Sequence, residues 1–187
     1  MNAFVKTIAC VAVVLAFAAQ TQAQAGGERF TATATMKSAK VSHSSPVTFQ
    51  IDRFNSDADR DKLMAVVKRH KTTEIHEALA AMPDIGYVEM AGTKTPIKYA
   101  YARPANAGRL ITVLTGKAIL HLGADLPDAK PKQGYDLAFG LLVLEADNKG
   151  HGEMSPATKI KMDANGAIVT QDYGPATVHL TDVAKAK

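Results

Sequence analysis

From Arg29 to Lys37 the chain alternates, with Phe30, Ala32, Ala34 and Met36 on one side and Thr31, Thr33, Thr35 and Lys37 on the other. A period of two marks a strand with one buried face and one wet face, because successive side chains leave the pleat in opposite directions. The pattern returns at Val47, Phe49 and Ile51, and again over Ile85 to Met90, Ile97 to Tyr101 and Leu110 to Thr115. It recurs at Thr158, Ile160 and Met162, followed by Ile168 and Val169, and closes over Ala176 to Thr181, with Val178 and Leu180 inward and Thr177, His179 and Thr181 outward. Ala118 to Leu122 reads as one more strand after a bend at Gly116, and the apolar run Ala138 to Leu144 as a central strand buried on both faces. Turn chemistry separates these segments at Ala91-Gly92-Thr93-Lys94, Asn106-Ala107-Gly108, Asp147-Asn148-Lys149-Gly150 and Asn165-Gly166, while Ser38 to Pro46 reads as a wide loop.

The period changes once. Ser56 is followed three residues later by Asp59, a capping-box spacing, and Leu63, Val66, Val67 and His70 then recur at helical intervals. A second helix opens at Thr72 or Thr73, carries Ile75, Ala78, Leu79 and Met82 on one face, and stops before Pro83. The expected fold is therefore α+β: a curled, mostly antiparallel sheet of eight or nine strands, barrel-like or sandwich-like, with one helical hairpin packed on it.

Residues 1–25 bear on location. Lys6 precedes an apolar run from Ile8 to Ala19, and Ala23-Gln24-Ala25 supplies small residues at the spacing of a signal-peptidase site. This layout predicts a cleaved secretory leader over residues 1–25, a single mature domain over 26–187, and a periplasmic or extracellular location. The run spans about 12 residues against the roughly 20 needed to cross a bilayer as a helix, and no later segment is longer, so the mature chain is expected to carry no transmembrane anchor. Cys10, the one cysteine, falls within the leader, leaving no thiol for a disulfide, a metal or a nucleophile.

A net charge of +4, with acidic and basic residues interspersed, is too small and too dispersed for nucleic acid. The densest cationic stretch, Lys68-Arg69-His70-Lys71, sits where the first helix ends and complements its dipole; its other reading is a docking patch for an anionic partner or a membrane headgroup.

Signals for catalysis are sparse. Asp52, Asn55, Asp57, Asp59 and Asp61 resemble a calcium loop in spacing, but the positions that need Gly and Glu hold Arg60 and Val66, and capping accounts for Ser56, Asp57 and Asp59 together. The acidic turn Glu145 to Glu153 is interrupted by Lys149. His43, His70, His76, His121, His151 and His179 show no HxH or HxxxH spacing, and no GxSxG, GxGxxG or P-loop occurs. No cofactor and no metal are expected. The candidate ligand-binding residues are Tyr99 and Tyr101, placed on one strand face with Ile97, and His121, on a strand just before the long loop 123–135.

The residues thus point to a non-catalytic binding or accessory protein with a small-molecule or protein partner, the ligand being small and apolar or amphipathic. A metal-dependent or acid/base enzyme using some of His121, His151, Asp57, Asp59 and Glu153 is the alternative, and a structural protein-interaction module the third.

Overall fold

The computed structural model describes residues 27–37, 42–69, 71–105, 108–119, 134–163, 168–172 and 178–186. The expected leader, His70, His121 with most of the 123–135 loop, the Asn106-Ala107 and Asn165-Gly166 turns and the Ala176-Thr177 start of the last strand lie outside them. In chain order the elements are β1 (Glu28–Lys37), β2 (Ser42–Ile51), α1 (Asp57–Val67), α2 (Thr72–Ala81), β3 (Gly86–Met90), β4 (Thr93–Ala105), β5 (Gly108–Thr115), β6 (Leu137–Glu145), β7 (Lys149–Met162), β8 (Ile168–Asp172) and β9 (Val178–Lys185).

The strands form one antiparallel sheet in the order β6-β5-β4-β3-β2-β1-β9-β7-β8, and β7 also pairs with β6, which closes eight of the nine into a barrel. β8 stands outside the ring, paired among the described residues with β7 alone. The long β7 makes this possible by changing partners: Lys149 to Met154 lies against β9, and Thr158 to Met162 against β8. Closure follows from alternation. One face of every ring strand is apolar, and rolling the sheet hides that face without a second layer. The interior holds Phe30, Val47, Phe49, Ile97, Ile111, Val113, Leu142, Met154 and Leu180, all buried. Small residues make room for large ones: Gly140 faces Phe49 so closely that a Cβ there would sit 3.4 Å from the ring.

One mouth of the barrel is plugged by charge. Glu28 is buried, its Oε1 accepting from Lys185 Nζ at 2.7 Å. Its Oε2 lies 2.9 Å from Arg109 Nη2, an ion contact without hydrogen-bond alignment. Arg109 in turn donates to Asn148 Oδ1 at 3.0 Å and stacks over Phe30 at 5.6 Å. Two cations around one carboxylate make this burial tolerable.

The helical pair covers part of the outside. The capping box forms as expected: Asp59 N–H donates to Ser56 Oγ at 3.2 Å, and Ser56 N–H to Asp59 Oδ2 at 3.2 Å. Glu74, in the first turn of α2, accepts from Arg69 at 2.7 Å and Lys71 at 2.9 Å, so two of the four residues in the cationic stretch pin the helix–helix turn. Leu63, Val67, Ile75 and Leu79 are buried against Tyr99, Leu114, Leu137 and Ile160, which puts the hairpin on the outer face of β4 to β7.

Four expectations need correction. β2 begins at Ser42, not after Pro46; the proline is accommodated because β3 ends at Met90 opposite Val47, leaving Pro46 with a partner, Thr33, on the β1 side alone. β4 begins at Thr93, because Ala91 and Gly92 by themselves turn the chain with φ of 49° and 75°, the two-residue geometry whose twist suits a hairpin. Ala118 and Ile119 are not strand; Ile119 is held by its N–H donating to Pro156 O at 2.8 Å, and residues 120–122 lie outside the described set. β6 is buried on its inner face, but Phe139, Leu141 and Val143 on its outer face are only half-buried, since the helices fully cover Leu137 and Leu114 and only the edge of Phe139 beyond them.

Candidate ligand-binding groove

Tyr99 and Tyr101 do not share a face with Ile97. Ile97 pairs with Thr115 and Tyr99 with Leu114, so Lys98 is an extra residue that reverses the alternation. Lys98 is held in place by its Nζ, 2.7 Å from Asp84 and 3.1 Å from Met82 O. Ile97 therefore points into the barrel, and Tyr99, Tyr101 and Arg103 point out.

The cross-strand register defines the outer face. Tyr99 lies beside Leu114 and then Phe139; Tyr101 beside Thr112 and then Leu141; Arg103 beside Leu110 and then Val143. The helices bury Tyr99 and Leu114 of the first row and leave Phe139 and the next two rows half-buried or exposed, with Tyr101 touching only the start of α1. The result is a half-open groove of about 420 Å³, floored by Tyr99, Tyr101, Thr112, Phe139 and Leu141. Arg60, Asp61, Met64 and Lys68 of α1 form one wall, and Met162 and Ile168, from the β7–β8 hairpin, line it as well. Its size is within the range of small-molecule clefts, about 300–1,000 Å³.

The tyrosines join floor to wall. Tyr101 Oη donates to Asp57 Oδ1 at 2.6 Å and accepts from Arg60 Nη1 at 3.0 Å, and the Arg60 guanidinium lies 5.3 Å above the ring. Tyr99 is buried beneath the helices with its ring 6.4 Å from that of Tyr101 and nearly parallel to it. Burial raises the pKa of both phenols above the usual value, and for Tyr101 the bond to Asp57 adds to this, so both hydroxyls are neutral at ordinary pH. Arg60 is occupied: its Nε and Nη2 meet Asp61 Oδ1 at 3.1 and 2.8 Å.

The five oxygen-bearing residues near α1 are dispersed among separate partners. Asp52 accepts from Gln50, Asn55 Oδ1 from the Ala100 N–H, Asp57 from Tyr101, Asp59 Oδ2 from the Ser56 N–H and hydroxyl, and Asp61 from Arg60. The residues of the enzyme alternative are not gathered either. His151 and Glu153 are exposed on the outside of β7, opposite Val143 and Leu141 respectively, with Glu153 3.9 Å from His179, while Asp57 and Asp59 stay at the start of α1. His121 lies outside the described residues. Among the described residues no three His, Cys, Asp or Glu side chains group as metal ligands.

Sequence reasoning did not place Arg60, Met64, Arg103, Phe139 or Leu141 in a site. Arg103 continues the period of two from Tyr99 and Tyr101 and was within reach of that pattern; Phe139 and Leu141 were hidden in an unbroken apolar run. No helix among the described residues is long and apolar enough to cross a membrane. In comparisons with protein-family models, curated proteins and solved structures, nothing matches this chain.

Proposed function

We propose that this is an exported, non-catalytic binding protein that holds a small amphipathic molecule in the groove between α1 and the outer face of β4 to β6. The observation that carries the reading is the floor itself: aromatic and aliphatic side chains of Tyr101, Phe139 and Leu141 left half-buried in a concavity that charged residues of α1 and β4 also line. Apolar surface held open in a concave site favours a ligand that displaces water from it, at about 25 cal/mol for each Å² covered.

A protein-interaction role draws on a different feature. Leu110 and Val143, also half-buried, extend the apolar face beyond the groove along β5 and β6. The two readings separate on size of partner.

The test is titration of the purified protein with a neutral fluorescent probe, N-phenyl-1-naphthylamine, beside Leu141→Arg. Saturable one-site binding by the parent chain and its loss in the variant, with the melting temperature unchanged, is the expected result. No saturable binding, or equal binding by Leu141→Arg, would sink the small-molecule reading.

A further inference from the structure

The groove is not electrically neutral. Its lining carries three cations, Arg60, Lys68 and Arg103, against one carboxylate, Asp61. Arg60 is already committed to Asp61 and to the Tyr101 hydroxyl. Within the cationic stretch that ends α1, Arg69 is committed to Glu74. Lys68 and Arg103 have no ion-pair partner among the described residues, both are exposed, and they approach the groove from different elements, one from the end of α1 and one from β4. A cation that only needs solvation can stand anywhere on the surface. Two that border the same apolar concavity, with the one carboxylate that lines it already paired and Asp57 and Glu153 standing outside the lining, leave positive charge where the polar end of a bound amphiphile would lie.

Resting on the groove reading above, we infer that the ligand is a free single-chain amphiphile with an anionic head group, its chain over Tyr101, Phe139 and Leu141 and its head held by Lys68 and Arg103. Arginine supplies a planar fork matched to a carboxylate or phosphate, and lysine a mobile point charge that adapts to the head group's position. The recess between α1 and the β7–β8 hairpin favours one free molecule over a membrane surface, because a concavity of about 420 Å³ takes in a single chain, whereas a bilayer is met by protruding apolar groups.

Dodecanoate and dodecanol, identical in chain and different in charge, supply the test by displacement of N-phenyl-1-naphthylamine from the parent chain, Lys68→Gln, Arg103→Gln and the double variant. The parent chain is expected to bind dodecanoate about tenfold more tightly than dodecanol, with the ratio falling as salt rises. Each single variant should reduce the ratio, and the double variant should bring it to about one while dodecanol binding stays within about twofold of the parent value. Equal binding of the two compounds by the parent chain, or a ratio that survives in the double variant, overturns the anionic head group and leaves the groove reading standing. Failure of both compounds to displace a saturably bound probe overturns the single-chain amphiphile and leaves the groove reading, which the probe itself tests, standing, and flotation with vesicles containing phosphatidylglycerol in the absence of dodecanoate binding reassigns the cations to a membrane surface.

Discussion

The two faces of β4, β5 and β6 are made of similar residues and have met different fates. Inside the ring, Ile111, Val113 and Leu142 are fully enclosed because every neighbouring strand contributes to the same core. Outside, Tyr99 and Leu114 are just as enclosed, but only where α1 and α2 lie over them; one row farther along the strands, Tyr101, Thr112 and Leu141 are half-open. Hydropathy alone therefore does not distinguish core from site. What distinguishes them is whether the chain supplies a cover, and here a hairpin of two short helices supplies it for only part of a face.

Mutations that truncate equal side chains on the two faces test this most directly. Phe49→Ala, inside the barrel opposite Gly140, should cost about 3–5 kcal/mol in a urea titration, because neither a glycine nor the closed ring can refill the void. Phe139→Ala, on the outer face, should cost about 1 kcal/mol or less while weakening probe binding. Similar losses at the two positions would mean that the outer face is core after all.

Leu79→Ala sharpens the boundary within the outer face. Leu79 is 1 % exposed beneath α2, so its truncation should cost about 2–5 kcal/mol, as in an interior. A loss below about 0.5 kcal/mol would show that the helices rest loosely on the sheet.

The smallest effect concerns the edge of the cover. The Asp59 carboxyl is held below its ordinary value of 3.8, first by the Ser56 hydroxyl and then by the Ser56 backbone N–H. A depressed folded-state value means that this contribution is complete above the ordinary carboxylate range and is lost as pH falls through the lowered value. Ser56→Ala should cost about 0.5–2 kcal/mol at neutral pH, with a smaller difference from the parent chain under strongly acidic conditions. A penalty independent of pH would show that the hydroxyl, not the reciprocal carboxylate bond, does the capping.

Much of this fold was legible because alternation and capping are local. The run Phe30 to Met36, the Ser56 and Asp59 pair and the stop before Pro83 each state their structure within a few residues. Barrel closure was legible only as curling, since the β1–β9 pairing joins residues at opposite ends of the ring's chain path, Phe30 beside Lys185, while β6–β7 is a local hairpin that says nothing of closure. The site was half legible. Tyr99 and Tyr101 were found as a pair but assigned to the wrong face, because one added residue at Lys98 inverts everything after it and leaves no mark in the alternation itself. In Leu137 to Leu144 the period is absent, and an unbroken apolar run reads alike whether its second face meets a helix or a groove.

The ion cluster at the barrel mouth carries a consequence for the order in which the protein folds. Glu28 and Lys185 are 157 residues apart, and the strands that bear them, β1 and β9, are neighbours in the ring. A chain emerging from its N-terminus can form the β1–β2 hairpin and the helical pair early, yet β1 keeps one edge bare until β9 has been made. Closure is then a late, long-range event, slowed by an entropic cost that grows with the logarithm of the loop it must close, and until it happens the Phe30 face is exposed to other chains.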